Sequence, residues 1–264
     1  MSANLPRLAL IGFGEAGSTF ARAGQWGGSA RAFDIKAERG AIMQQCGITA
    51  CTSAEQALRD AVLVLSLVTA DSALPVARDY APFLTPGTIW CDMNSVSPDT
   101  KRKAAASVEE MGGRYVDVAV MAPVDPKALA VPLLIAGKAA QEAMGHLNRL
   151  GFANTPIVGE EVGRASAIKM IRSVMVKGLE ALSWECAQAA RAAGVLDEVT
   201  ASLDASEKHE PWAERFAYNR ERMETHGLRR AAEMEESAKT LLDLGIEPVM
   251  TRGTVVLQRR AAKG

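Results

Sequence analysis

Histidine and cysteine are scarce: the chain has three and four of them among 264 residues. His146, His209 and His226 are scattered, and Cys46, Cys51, Cys91 and Cys186 contain no C-x-x-C pair. No acidic cluster has ligand spacing, so no metal site is expected. The cysteines read as buried thiols of a reducing compartment. A surplus of either charge is also missing, with 30 Lys and Arg against 31 Asp and Glu. That balance argues against nucleic acid or an anionic membrane as partner. Nothing approaches the roughly 20 apolar residues of a membrane helix. The first apolar run is broken by Gly12 and is too short for a signal-peptide core. A soluble cytoplasmic protein is the expectation.

What is present is an ordinary globular balance, 48% hydrophobic and 23% charged, long enough for one large or two modest domains. Short apolar runs at Leu8–Ile11, Ala30–Phe33, 48–51, 62–68, Ile89–Asp92, 115–121, Leu133–Ala136 and 157–158 read as strands. Helical stretches over 15–23, 38–46, 98–111 and 139–150 lie between them, and Ser53-x-x-Gln56 is a capping box opening another. Such alternation predicts a parallel sheet covered on both faces. Beyond Gly159 no strand is expected. Residues 165–193 read as one long helix with apolar Ile168, Ile171, Met175, Leu179 and Leu182 at helical spacing. Further helices are predicted over 212–224, 228–244 and 254–262. The spacing therefore predicts an α/β domain over 1–158 and an all-helical domain over 159–264.

The first strand runs into Gly12-Phe13-Gly14-Glu15-Ala16-Gly17, a G-x-G-x-x-G between strand and helix. Gly12 permits the tight turn, Gly14 lets backbone approach a pyrophosphate, and Gly17 lets helix pack on strand. The helix N-terminus offers N–H groups and a positive dipole end to phosphate. Asp34 closes the second strand, twenty residues after Gly14. Its carboxylate accepts from ribose hydroxyls and repels a 2′-phosphate, which favours NAD, while Arg31 and Lys36 keep NADP open. A dinucleotide-binding Rossmann domain follows. Val68 and Thr69, at the end of the most apolar strand, are expected beside the nicotinamide.

Past this loop the chain resembles the β-hydroxyacid dehydrogenase family, relatives of 6-phosphogluconate dehydrogenase. Besides the glycine loop, Asp92-Met-Asn-Ser-Val-Ser-Pro98 is similar to the family's substrate loop, with Asn94 and Ser95 in the positions of its Ser and Thr. The stretch 115–124 is similar to the segment whose Ser-Gly-Gly faces the substrate carboxylate, but Met121, Ala122 and Pro123 stand there instead. The hydroxyl is lost, Pro123 has no N–H, and a bulkier or less polar substrate is implied. Gly163-Arg-Ala-Ser-Ala-Ile-Lys169-Met-Ile-Arg-Ser173 is similar to the stretch with the family's catalytic lysine, which places Lys169 in that role. Ser173, in the place of an asparagine, lies at i+4 on the same helix face. Residues 226–234 are similar to a subgroup with a poorly characterised helical domain. There Arg229 or Arg230 is expected to supply a substrate-binding cation.

The resemblance implies a Rossmann domain joined to a helical domain by one long helix, and hydride transfer between a small hydroxyacid-type alcohol and NAD(P). Lys169 would carry the hydroxyl proton. A free lysine titrates near ~10.4 and must come down to about 7–8 for such work. Burial with Arg172 and Arg164 nearby would lower it. An imine reductase and a non-catalytic dinucleotide sensor are the rival readings. The long apolar helix predicts a homodimer.

Overall fold

The computed structural model describes residues 5–206 and 210–262; His209 lies outside the described residues. The chain divides into two compact units, Met1–Arg172 and Ser173–Gly264.

The first unit is built on eight strands: β1 (Leu8–Ile11), β2 (Ala30–Phe33), β3 (Thr49–Ala50), β4 (Leu63–Ser66), β5 (Ile89–Asp92), β6 (Arg114–Val120), β7 (Leu133–Ala136) and β8 (Ile157–Gly159). They lie in the order β3-β2-β1-β4-β5-β6-β7-β8. All neighbours pair in parallel except β6 and β7, which run antiparallel. A run such as Leu-Leu-Ile-Ala reads alike in either direction, so the reversal was invisible in the sequence. Chain order reverses between β1 and β4, which opens a crevice at their carboxyl ends.

The helices of this unit are α1 (Glu15–Gly24), α2 (Arg39–Gln45), α3 (Ala54–Leu58), α4 (Ala73–Tyr80), α5 (Pro98–Glu110) and α6 (Ala140–Arg149). Strand alternation sends Leu8 and Leu10 into one core with Phe20 of α1 and Leu147 of α6. Ala9 and Ile11 point into a second core with Leu58, Ala77, Ala104 and Val108 of α3, α4 and α5. Both sheet faces are thereby covered. Two caps follow the sequence signals. Ser53 Oγ accepts from Gln56 N, while Gln56 Oε1 reaches back to Thr52 N. Ser97 Oγ accepts from Thr100 N ahead of Pro98.

Helix α7 (Arg164–Ala193) is continuous, and its first turns belong to the sheet unit. The second unit holds the rest of α7, then α8 (Leu196–Ser206), α9 (Trp212–Asp243) and α10 (Val249–Ala261). Helix α9 is one element where two were expected, because Gly227 does not end it. A Cβ there would meet Gln258 O of α10 at 2.3 Å, so this glycine permits a close helix crossing. Glu185 of α7 fastens α10: its Oε1 accepts from Thr251 N and Oγ, and its Oε2 from Met250 N. These donors include backbone N–H groups that α10 leaves unpaired at its start.

Candidate functional site

The glycine loop sits at the crevice between β1 and β4. Gly12 has φ +91°, and a Cβ on it would lie 2.5 Å from Leu67 O. Gly17 is shut in as well, since its Cβ would come within 2.8 Å of Gly12 O. Gly14 differs, for a Cβ there meets nothing within 4 Å. It faces open space at the head of α1, which no side chain caps. The geometry fits a pyrophosphate laid against the helix N-terminus.

Asp34 holds the loop from the end of β2. Its Oδ2 accepts from Phe13 N at 2.6 Å and its Oδ1 from Lys36 N at 2.9 Å. Each oxygen keeps a lone pair for a ribose hydroxyl. Gly12, Gly14, Glu15, Asp34, Val68 and Thr69 line one groove of about 350 Å³. Lys36, Arg39 and Tyr80, not all singled out by sequence, line it too. Burial, with Asp79 and Asp34 adding negative charge, pushes the Tyr80 phenol up from its ordinary value. Phe13 contributes its N–H while its ring is core.

A second hollow, also about 350 Å³, adjoins the groove and shares Glu15, Leu67 and Val68 with it. Ala16, Asn94, Ser95, Ala122 and Lys169 line it. Lys169 Nζ donates to Ser95 Oγ at 2.6 Å. Asn94 is buried, and its Nδ2 donates to Ser66 Oγ at 3.0 Å. Among the described residues its Oδ1 has no hydrogen-bond partner. A buried acceptor left in this state points to a donor from a bound molecule. The other walls are apolar: Met93, Val120, Pro123 and Val124.

A buried charge cluster joins β5, β6 and α5. Lys101 is wholly inaccessible, and its Nζ stands 2.6 Å from Asp92 O, 2.9 Å from Asp92 Oδ1 and 3.4 Å from Asp117 Oδ1. Tyr115 OH donates to Asp92 Oδ2 at 2.6 Å; burial first and Asp92 second hold this phenol well above its ordinary range, so it stays a donor. Asp117 Oδ2 accepts from Gly163 N, Ser166 N and Ser166 Oγ at 3.0–3.1 Å, which places an anion at the start of α7. Asp92, Lys101, Asp117 and Ser166 were not picked out by sequence reasoning. A signal existed: Lys101, Ala104, Ala105 and Val108 recur at i, i+3, i+4, i+7, all on the buried face of α5.

Not every expected residue reaches the hollow. Met121 packs with the small cluster of Ala119, Ala136 and Ala165 and does not line the cavity. Val120, at the end of β6, and Ala122, just beyond it, line the hollow instead. Ser173 opens the second unit, and Arg229 and Arg230 lie on α9 within it. Arg164 and Arg172 are exposed on α7. His146 is a buried helix residue bonded to Arg149 through Nδ1 at 2.8 Å, and His226 is exposed on α9. Among the described residues, no group of three His, Cys, Asp or Glu could hold a metal ion. No helix among them is long and apolar enough to cross a membrane.

Residues 7–150, more than half the chain, match the family described as the NAD binding domain of 6-phosphogluconate dehydrogenase. The chain belongs to this family. Residues 190–261 match a domain of unknown function (DUF1932). A conserved hypothetical protein from Sinorhizobium meliloti 1021 is 35% identical, with 99% of this chain and 90% of that one covered and a TM-score of 0.66. A conserved protein of unknown function, structurally similar to 3-hydroxyacid dehydrogenases, is 31% identical over 97% of both chains, with a TM-score of 0.65. An imine reductase from Myxococcus stipitatus in complex with NADP+ shares the fold at a TM-score of 0.78, with 21% identity over 98% of this chain and 94% of that one. As a family member the chain carries an NAD(P)-binding domain on a fold of the hydroxyacid dehydrogenase and imine reductase type.

Proposed function

We propose that this protein is an NAD(P)-dependent dehydrogenase acting on a small hydroxyacid-type alcohol, with Lys169 as general acid and base. The observation that carries the reading is the Lys169–Ser95 bond of 2.6 Å at a hollow that shares Glu15, Leu67 and Val68 with the dinucleotide groove. Gly12, Phe13, Gly14, Glu15, Ala16 and Gly17 form the phosphate loop. Asp34 takes the ribose hydroxyls and favours NAD, while Val68 and Thr69 border the nicotinamide. When bound, the nicotinamide supplies a two-electron hydride acceptor. In oxidation the substrate carbon would give up its hydride to that acceptor, while the Lys169 amine would take the hydroxyl proton. A carbonyl and a lysine ammonium remain. Reduction runs the same transfers backwards. Ser95 orients Lys169, and Asn94 Oδ1 accepts a hydrogen bond from the substrate. Ala122 shapes the cavity wall, while substrate contact by Ser173 and by Arg229 or Arg230 rests on the family resemblance alone.

A second reading is an imine reductase. The apolar wall of Met93, Val120, Pro123 and Val124 favours it, because it offers no second cation for a carboxylate. A homodimer is proposed for either, on the exposure of Ile171, Val174, Leu179 and Trp184 along α7. A monomer in sedimentation equilibrium at micromolar concentration would refute it.

The function is tested by following NAD+ and NADP+ reduction against hydroxy acids and alcohols, and NADH and NADPH oxidation against cyclic imines. Each assay compares the native protein with Lys169→Ala. Alcohol turnover that falls by roughly 10²–10⁴ in the variant, with NADH binding intact, supports the dehydrogenase. Turnover confined to imines favours the second reading. Cofactor binding without turnover on any compound leaves a dinucleotide sensor.

A further inference from the structure

The buried cluster around Lys101 has more connections than a stability role requires. Replacing a buried ion pair by apolar groups of equal volume is often neutral or stabilising, so Lys101 is poorly explained as glue. Its ammonium donates to Asp92 O and Asp92 Oδ1 and stands 3.4 Å from Asp117 Oδ1, so it meets oxygens on two strands. From each carboxylate a further bond leads to one half of the candidate site. Asp92 Oδ1 also accepts from Asn94 N at 2.9 Å, which fixes the loop that carries Asn94 and Ser95. Asp117 Oδ2 holds Gly163 and Ser166 at the head of α7, and Lys169 lies three residues beyond Ser166, nearly one helical turn on. Among the described residues Asp117 Oδ1 has no hydrogen bond, and the Lys101 charge meets it as an ionic contact.

We infer that Lys101 is a positioning residue: its ammonium clamps Asp92 to Asp117 and thereby sets the Ser95 loop against the turn of α7 that carries Lys169. Lys101 touches neither cavity, so it acts through these two carboxylates. The inference rests on the roles given to Lys169 and Ser95 above. Its test does not require turnover, so it can fail or succeed apart from that reading.

Acetic anhydride acylates a deprotonated, accessible lysine amine, and peptide mass spectrometry reports the extent at each site. Lys169 donates to Ser95, whereas Lys138 is an exposed lysine on the turn after β7 and serves as internal reference. In the full-length protein, Lys101→Met should raise the Lys169-to-Lys138 labelling ratio about tenfold, the loss of one charge-assisted hydrogen bond. Far-UV circular dichroism and NADH binding confirm that the fold is kept. Ser166→Ala deletes one of the three bonds to Asp117 Oδ2 and leaves every charge in place, so it serves where Lys101→Met fails to fold. It should raise the ratio about threefold, in line with the loss of one neutral donor. An unchanged ratio in whichever variants fold overturns the inference, since a purely structural lysine alters stability without altering Lys169 in the folded state. Where an alcohol substrate has been found, both variants should also lower kcat more than they raise the KM for cofactor.

Discussion

In the sheet unit Phe20, Leu63, Leu65 and Trp90 are wholly buried, whereas in the helical unit Trp184, Phe216, Val249 and Val256 are each more than half exposed. The buried hydrophobics described in the helical unit are small: Ala190, Ala231, Ala238 and Val255. One unit is held by large side chains packed on both faces of a sheet. The other is held by local fastenings, the Glu185 cap on α10 and the tight crossing at Gly227. A unit of the second kind leaves apolar surface uncovered, and the proposed homodimer rests on that surface.

The contrast can be tested by substitution, in order of expected effect. Phe20→Ala, which empties a site against Phe152 at 5.0 Å between ring centroids, should cost about 3–5 kcal/mol in urea unfolding. Gly227→Ala should cost about 1–3 kcal/mol, because the added methyl drives α9 from α10. Hydrogen exchange in those two helices should rise while the sheet stays protected, and a uniform rise would break the contrast. Glu185→Gln should cost about 1–2 kcal/mol, since one carboxamide oxygen cannot serve Met250 and Thr251 together. Val174→Ser, on the exposed face of α7, should change monomer stability by no more than about 0.5 kcal/mol. It should nevertheless weaken self-association measurably in sedimentation.

Glu185 adds a pH dependence. Burial alone would raise its carboxyl, but the bonds from Thr251 and Met250 outweigh burial and hold it below its usual value. A lowered folded value means that this stabilisation is complete above the usual glutamate range and fades as pH falls through the folded value. The stability gap between the native protein and Glu185→Gln should therefore shrink on acidification from neutral pH to below 4.5. A gap independent of pH would show that Glu185 does not titrate as a cap.

Much of the sheet could be read in advance because buried strands and glycine turns leave local marks. β2 and β7 run over the expected residues, and Gly12 and Asp34 stand where the motif puts them. Helix α4 was not read, since Pro75 lies inside its first turn, where the missing N–H costs nothing. Helix α8 was also missed. The gap expected between 224 and 228 is closed in α9, and the role of Gly227 in admitting α10 leaves no mark in the sequence, where a glycine that ends a helix and one that admits a neighbour look alike. Lys101 was obscured by its setting, Asp-Thr-Lys-Arg-Lys, which has the look of a solvated charge run. Its burial depends on carboxylates from two strands, a meeting that only the tertiary fold creates. Asn94, Ser95 and Lys169 could be named from motifs, but the bond between the last two spans 74 residues and is set by packing.

The bond from Phe13 N to Asp34 Oδ2 has a practical corollary for anyone wishing to retune the protein from one dinucleotide to the other. The carboxylate that would discourage a 2′-phosphate is also the latch of the glycine turn. Exchanging it for a neutral residue removes the discrimination and unlatches the turn in one move, so both dinucleotides should lose affinity. Lys36 takes part in the latch only through its backbone N–H; among the described residues the side chains of Lys36 and Arg39 border the same groove without a bond to the glycine turn, which makes them the safer places to cut.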